Sequence, residues 1–212
     1  MDNPVIIFGA GGLGRAALEI FQSNDVMVYG FLDDNEEMHN TEIDTVTVLG
    51  KTEDDGFLKL IGKKCEAFIA VDDNKLRKSL TKLIVDRRKM MPVNAHHPAT
   101  VMASSASLGH GNFINAAVIL GAGAQIGNHC LLHTGAVVDH NCMVGDYVQI
   151  GAGTVLNADV VVEEGAFLGS GVTVVSGVKI GKNARIGAGS VVIQDVQKGE
   201  TVFGNPAQVV KT

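Results

Sequence analysis

Residues Leu108 to Gln149 read, in sixes, LGHGNF INAAVI LGAGAQ IGNHCL LHTGAV VDHNCM VGDYVQ. Every six opens on an aliphatic residue. The register runs unbroken from Met102 to Val192, through Leu156, Val162, Leu168, Val174, Ile180 and Ile186. The fifth place of each six is small or β-branched in most copies, as in Ala124, Cys130, Ala136, Cys142, Val148 and Thr154. Asn112 is the polar exception. Glycine recurs at the second place: Gly109, Gly121, Gly127, Gly145, Gly151, Gly169, Gly181 and Gly187.

A spacing of six is not a helix period. At 3.6 residues per turn the aliphatic residues would spiral round the surface and bury nothing. A period of two does not explain why one place is large and another small. A hexapeptide solenoid explains both: three sixes form one triangular coil of short parallel strands, with the large residue filling the prism and the small one near the corner. The second-place glycines are expected to supply positive-φ corners. About five coils stacked at the strand spacing give roughly 24 Å of prism.

The chain has 212 residues, no Trp and a formal charge of −6. Scarce aromatics suit thin coils. The negative charge argues against nucleic acid or an anionic membrane as partner. No apolar run is long enough to span a bilayer, and no secretory signal pattern opens the chain, so a cytoplasmic protein without membrane insertion is expected. Cys65, Cys130 and Cys142 lack metal-type spacing, and the last two occupy the small inward place, where a thiol packs as a small hydrophobe.

Upstream, Val5–Phe8 reads as a buried strand running into Gly9-Ala10-Gly11-Gly12-Leu13-Gly14 and then a helix over Arg15–Phe21. Strand, glycine-rich turn and helix open a nucleotide-binding βαβ unit, in which backbone amides at a helix N-terminus meet phosphate. A second strand, Met27–Leu32, ends in Asp33-Asp34, near the spacing of a ribose-binding acid. Further strands are expected at Val46–Leu49 and Ala67–Val71, with a helix over Glu53–Ile61. Lys75–Arg88 forms another, its apolar face made by Leu76, Leu80, Leu83 and Ile84. Pro92 and Pro98 mark the change of character. The expected division is an α/β Rossmann-like domain over 1–95 and a β-helix domain with a C-terminal tail over 96–212.

A glycine-rich α/β domain, a hexapeptide prism and a tail containing Gly204-Asn205-Pro206-Ala207 together resemble the NeuD/PglD-type sugar acetyltransferases of surface glycan synthesis. The likeness covers nearly the whole chain. Its most specific element is Thr134-Gly135-Ala136-Val137-Val138-Asp139-His140. The resemblance implies a left-handed β-helix, a homotrimer with sites between subunits, and acetyl-CoA as co-substrate with no metal. The acceptor it implies is an amino sugar or sialic acid, nucleotide-linked.

It also implies roles for residues. His140 is the general base and Asn141 its neighbour, where the family usually has an acid. Gly9, Gly11, Gly12, Leu13, Asp33, Asp34, Asn74, Arg77 and His133 contact the nucleotide sugar. Gly151, Gly169, Gly187 and Pro206 contact acetyl-CoA. Leu13 stands where the UDP-sugar enzymes have a histidine, and Asp72 where the family usually has glycine. A trimer face is expected from Ala152, Val155, Val161 and Thr173.

Apart from the family, His140 stands out by position. One coil away on either side lie Ala122 and Ala158, so an imidazole there has room for ligands. Imidazole titrates near neutrality, as a base accepting a proton from an attacking amine or hydroxyl should. His110, His129 and His133 do not form a zinc trio with it in carbonic-anhydrase-like spacing. Two alternatives stay open: transfer of another acyl group or to another acceptor, and a non-catalytic nucleotide-binding solenoid.

Overall fold

The computed structural model describes residues 3–210. The chain divides into two compact units, Met1–Pro98 and Ala99–Thr212, so the division falls slightly beyond the expected 95/96.

The first unit holds β1 (Val5–Phe8), α1 (Gly12–Ser23), β2 (Val28–Leu32), β3 (Glu42–Ile43), β4 (Val46–Gly50), α2 (Asp55–Leu58), β5 (Glu66–Ile69) and α3 (Asn74–Arg88). The sheet order is β3-β4-β2-β1-β5. All pairs are parallel except β3 with β4. Ile6, Ile7, Phe8, Phe31, Leu32 and Phe68 are all fully buried, which is why the central strands read as unbroken apolar runs.

Three details differ from the sequence reading. Helix α1 begins inside the glycine stretch. The Glu53–Ile61 helix shrinks to one turn, started by Asp54, whose carboxylate accepts from the Gly56 amide. On α3, Leu76 is 45% exposed while Arg77 and Thr81 are buried with Leu80 and Ile84. Arg77 is drawn inward because buried carbonyls await its donors, as shown below.

The second unit is a left-handed parallel β-helix. Each six contributes one two-residue strand, and each strand pairs with the one eighteen residues on, for example Val137 with Val155 and Leu131 with Gln149. One face carries Val101–Met102, Ile119–Leu120, Val137–Val138, Val155–Leu156, Thr173–Val174 and Val191–Val192. A second carries the strands from Ser107–Leu108 to Lys179–Ile180. The third runs from Phe113–Ile114 to Arg185–Ile186. The aliphatic opening residues from Ile114 to Val192 fill the prism, with the fifth-place residues among them. Asn112 is buried without loss: its carbonyl accepts from Cys130 N–H at 2.7 Å and its amide donates to Gly127 O at 2.9 Å.

The second-place glycines do a different job from the one expected. Positive φ recurs at the fourth place, at Gly111, Ala117, Gly123, His129, Gly135, Asn141 and onward to Gly189. The second-place glycines are needed because the next coil lies against them. A Cβ on Gly169 would come within 2.6 Å of Ala188 N, and one on Gly121 within 2.6 Å of His140 N.

The tail is not loose. Thr201–Gly204 pairs in parallel with Arg185–Ile186 and turns back through Pro206 into antiparallel Ala207–Val209. Val202 is buried and extends the core by one rung.

The outward residues cited for a trimer face do not share one. Val155 and Thr173 stand on the first face, with Val101, Ile119, Val137 and Val191. Val161 faces out from the second face, and Ala152 stands at a corner. The row that is apolar but for Thr173 is the first face's own.

Candidate active site

The corner between the first and second faces carries Asp139, His140 and Asn141. Backbone bonds fix it from both sides: Asn141 N–H donates to Ala122 O at 2.9 Å, and Asp159 N–H to His140 O at 3.1 Å. The imidazole is thus set above Ala122 and below Ala158. Its side chain is 53% exposed.

One carboxylate oxygen of Asp139 accepts from the His140 backbone N–H at 2.7 Å and lies 3.0 Å from Nδ1. These bonds hold the Asp139 carboxyl below the usual carboxylate range, the backbone N–H contributing most and the imidazole next. An ionised oxygen at Nδ1 favours the tautomer with the proton there, leaving the Nε2 lone pair for chemistry. Asn141 does not orient the ring. It sits at φ 58°, a conformation Asn adopts more readily than most residues, and its amide donates to Asp159 at 3.1 Å. The orienting group is the residue before the histidine, and the sequence reading overlooked it.

His133 lies on a different corner, between the third and first faces, 3.4 Å from Gln149 and beside Phe113. Gly151, Gly169 and Gly187 stack above it in the same column. Around them stand only Thr134, Ala152, Ser170 and Ala188, and then Gly135, Gly153, Gly171 and Gly189. A cavity of about 240 Å³ opens there, lined by His133, Thr134, Gln149, Gly151, Ala152, Phe167, Gly169 and Ser170. The column ends under the exposed ring of Phe203, which lies against Gly187, with Pro206 in the turn that follows. The structure therefore gathers the residues assigned to the donor on one corner and the base on another.

Neither prism cysteine is poised as a nucleophile. Burial pushes the Cys142 thiol up, and its Sγ donates to Asn157 O at 3.1 Å. Cys130 Sγ donates likewise to Gly145 O at 3.1 Å. Among the described residues no group of three or more His, Cys, Asp or Glu side chains could hold a metal. No described helix is long and apolar enough to cross a membrane.

In the first unit, the glycine loop joins the carboxyl end of β1 to α1. Gly9 has φ 105° and would clash with Ala70 O, and a Cβ on Gly14 would strike Gly9 O, so the fold itself demands both. Gly11 and Gly12 are different. A Cβ on either meets nothing within 4 Å, and neither has positive φ. Gly11 caps α1 with no side-chain hydrogen bond to the helix amides. Leu13 is buried beneath the loop.

The assigned acids and Arg77 are engaged within the protein. Asp33 accepts from Ala10 N–H at 2.8 Å and Asn35 N–H at 2.9 Å, tying the glycine loop to the end of β2. Asp34 accepts from the Thr52 N–H and hydroxyl, both at 2.9 Å. Arg77 is fully buried and donates to Val71 O at 2.7 Å, Asp72 O at 3.0 Å and the Asn74 side-chain carbonyl. It fastens the β5–α3 loop and is not placed to touch a ligand.

An α/β domain with an uncapped glycine loop, followed by a hexapeptide prism bearing an acid-held histidine, defines a two-domain hexapeptide acyltransferase. The PglD N-terminal domain family matches residues 4–84, and bacterial transferase hexapeptide repeats match 123–158 and 159–194. A search of curated proteins finds no match. Among solved structures, PerB from Caulobacter crescentus in complex with CoA and GDP-perosamine is 32% identical, covering 100% of this chain and 99% of that one, with a TM-score of 0.90. A histidine-to-alanine variant of this GDP-perosamine N-acetyltransferase, with the same ligands, gives 0.91. The acetyltransferase domain of PglB from Neisseria gonorrhoeae, in complex with acetyl coenzyme A, is 24% identical over 99% of this chain and 100% of that one. Its TM-score is 0.89, and at that identity the likeness shows the fold alone. The chain belongs to the PglD/NeuD-type family of hexapeptide-repeat sugar acetyltransferases. It is a CoA-dependent sugar acetyltransferase.

Proposed function

We propose that this enzyme moves the acetyl group of acetyl-CoA to the amine of a nucleotide-linked amino sugar, with His140 as general base. The observation that carries the reading is the Asp139–His140 pair: Nδ1 held 3.0 Å from an ionised oxygen, on a half-exposed ring between two alanines. The relative that binds CoA and GDP-perosamine, 32% identical over the whole chain, supports the choice of substrates.

The neutral amine attacks the thioester carbonyl while Nε2 takes its proton. The tetrahedral adduct collapses, the C–S bond breaks, and the imidazolium returns the proton to the departing CoA sulfur. Asp139 stabilises the transient imidazolium. A backbone N–H donor to the oxyanion completes the requirement. The nucleotide is held at Gly11 and Gly12, whose bare Cα atoms leave room for phosphate at the α1 amides. The donor lies along the bare column of Gly151, Gly169 and Gly187 toward Phe203 and Pro206.

Base and donor column flank opposite edges of the first face. Packing that apolar face around a three-fold axis would bring the His140 corner of one copy to the bare corner of the next. A homotrimer with sites between copies follows.

The test is release of CoA thiol from acetyl-CoA, with amino sugars offered free and as GDP-, UDP- and CMP-linked forms. Release with a nucleotide-linked amino sugar, abolished by Gly11→Val, is the expected result. Equal rates with free sugars, or no release from any member of the panel, would overturn the proposal.

A further inference from the structure

The carboxyl edge of the first unit's sheet has two sides about β1. On the β2 side the carboxylates are occupied: Asp33 by the Ala10 and Asn35 amides, and Asp34 by Thr52. On the β5 side lies the place where strand order reverses about β1, the crevice in which open α/β sheets bind ligands. The β5–α3 loop forms its far wall. This loop presses on the glycine loop, since a Cβ on Gly9 would lie 2.5 Å from Ala70 O and 3.1 Å from the Val71 side chain.

Two acids stand in that loop. Asp73 is used by the fold, capping α3 through Leu76 N–H at 2.7 Å. Asp72 is exposed, and its carboxylate carries no hydrogen bond or ion pair among the described residues. Its backbone is nonetheless held rigidly, because the buried Arg77 guanidinium takes the carbonyls of both Val71 and Asp72. Four residues on, in the first turn of α3, Leu76 leaves 45% of its surface bare. An exposed carboxylate on an anchored backbone, four residues before a bare apolar side chain, matches a planar ring with polar edges: the apolar surface takes a face, the carboxylate takes an edge. A ribose diol would need no such apolar partner.

A carboxylate is acceptor-only and binds most strongly across two adjacent N–H donors. Guanine offers that pair, N1–H and N2–H. Uracil sets one N–H between two carbonyls, which a carboxylate repels. Cytosine and adenine each set a single amino group beside an acceptor nitrogen. We infer that Asp72 is the residue that selects the nucleobase, and that it selects guanine. The inference rests on the proposed nucleotide site at Gly11 and Gly12 and adds to it the identity of the base.

Calorimetry on the full chain with GDP, UDP, CDP, ADP and XDP tests it. The wild type should bind GDP about tenfold or more tightly than the others. Asp72→Asn should lose about that factor for GDP and gain affinity for XDP, because xanthine replaces the N2 donor with a carbonyl that an amide can serve. Asp72→Gly should bind all five weakly and alike. Preference for another base in the wild type, or an Asp72→Asn variant that keeps its GDP affinity, would overturn the assignment. An equal loss for every base would also overturn it, placing the carboxylate on ribose. Each of these three leaves the nucleotide site standing. No binding of any nucleotide by the wild type would sink the site and the base assignment together.

Discussion

The three corners of the prism have one backbone and three characters. The corner holding Asp146, Glu163 and Glu164 is a ladder of side-chain bonds. Asp146 accepts from Asn128 N–H at 2.7 Å, and Glu164 meets Lys182 at 2.7 Å. The corner holding Gly151, Gly169 and Gly187 is almost bare. The corner holding His140 carries one imidazole between alanines. Inward places are fixed by the need to fill the prism, so they repeat. Outward places are free of that need, and there the corners diverge: one braces the coils, one is left bare, one carries an imidazole. The period fixes the scaffold, and departures from it mark the site.

The comparison breaks most visibly within the bare corner. Gly169→Ala places a Cβ within 2.6 Å of the next coil's backbone, so the coils must part. The expected cost is about 1–3 kcal/mol, with a clear drop in Tm. Gly171→Ala puts the same methyl into open space at φ 68°, costing about 1 kcal/mol of backbone strain. Thermal melts of the two should separate them in that order, and the reverse order would contradict the two roles assigned to glycine.

A smaller effect sharpens the His140 corner. Asp139→Asn removes the anionic partner of the imidazolium formed in the reaction, so turnover should fall. The fall should be about one order of magnitude, the modest loss expected when a half-exposed, screened carboxylate is removed. Turnover at the wild-type level would show that Asp139 does not act on the ring.

The least effect belongs to Asn141. Gly there accepts φ 58° and loses only an exposed amide bond to Asp159. Stability of Asn141→Gly should stay within about 0.5 kcal/mol of wild type, with turnover little changed. A collapse of activity would return to Asn141 the orienting role that the geometry gives to Asp139.

Much of this was legible beforehand. An unbroken period of six placed the strands from Val101–Met102 to Val191–Val192, because each aliphatic residue answers to the same interior. The glycine loop and its flanking strand and helix were equally plain. What escaped has physical causes. The positive-φ place was hidden because Ala117, His129, Asn141, Tyr147 and Asp159 occupy it as well as glycines. Asp139 escaped because a carboxylate reaches its neighbour's ring only once the corner is turned. The last rung escaped because Thr201–Val202 returns after a loop that breaks the spacing. Arg77 is a ligand contact only by resemblance, and a resemblance does not show the carbonyls waiting beneath it.

The claim that chemistry sits on the His140 corner is tested most directly by His140→Ala, with acetyl-CoA and the best nucleotide-linked amino sugar. Turnover should fall by about 10²–10⁴. The melting temperature should hold, because the half-exposed ring leaves no core cavity, and acetyl-CoA affinity should change little, because the contacts proposed for the donor are glycine backbone and the tail, not the imidazole. Turnover near the wild-type value, in a variant that folds and binds both substrates, would contradict the account and move the search for the base to His133.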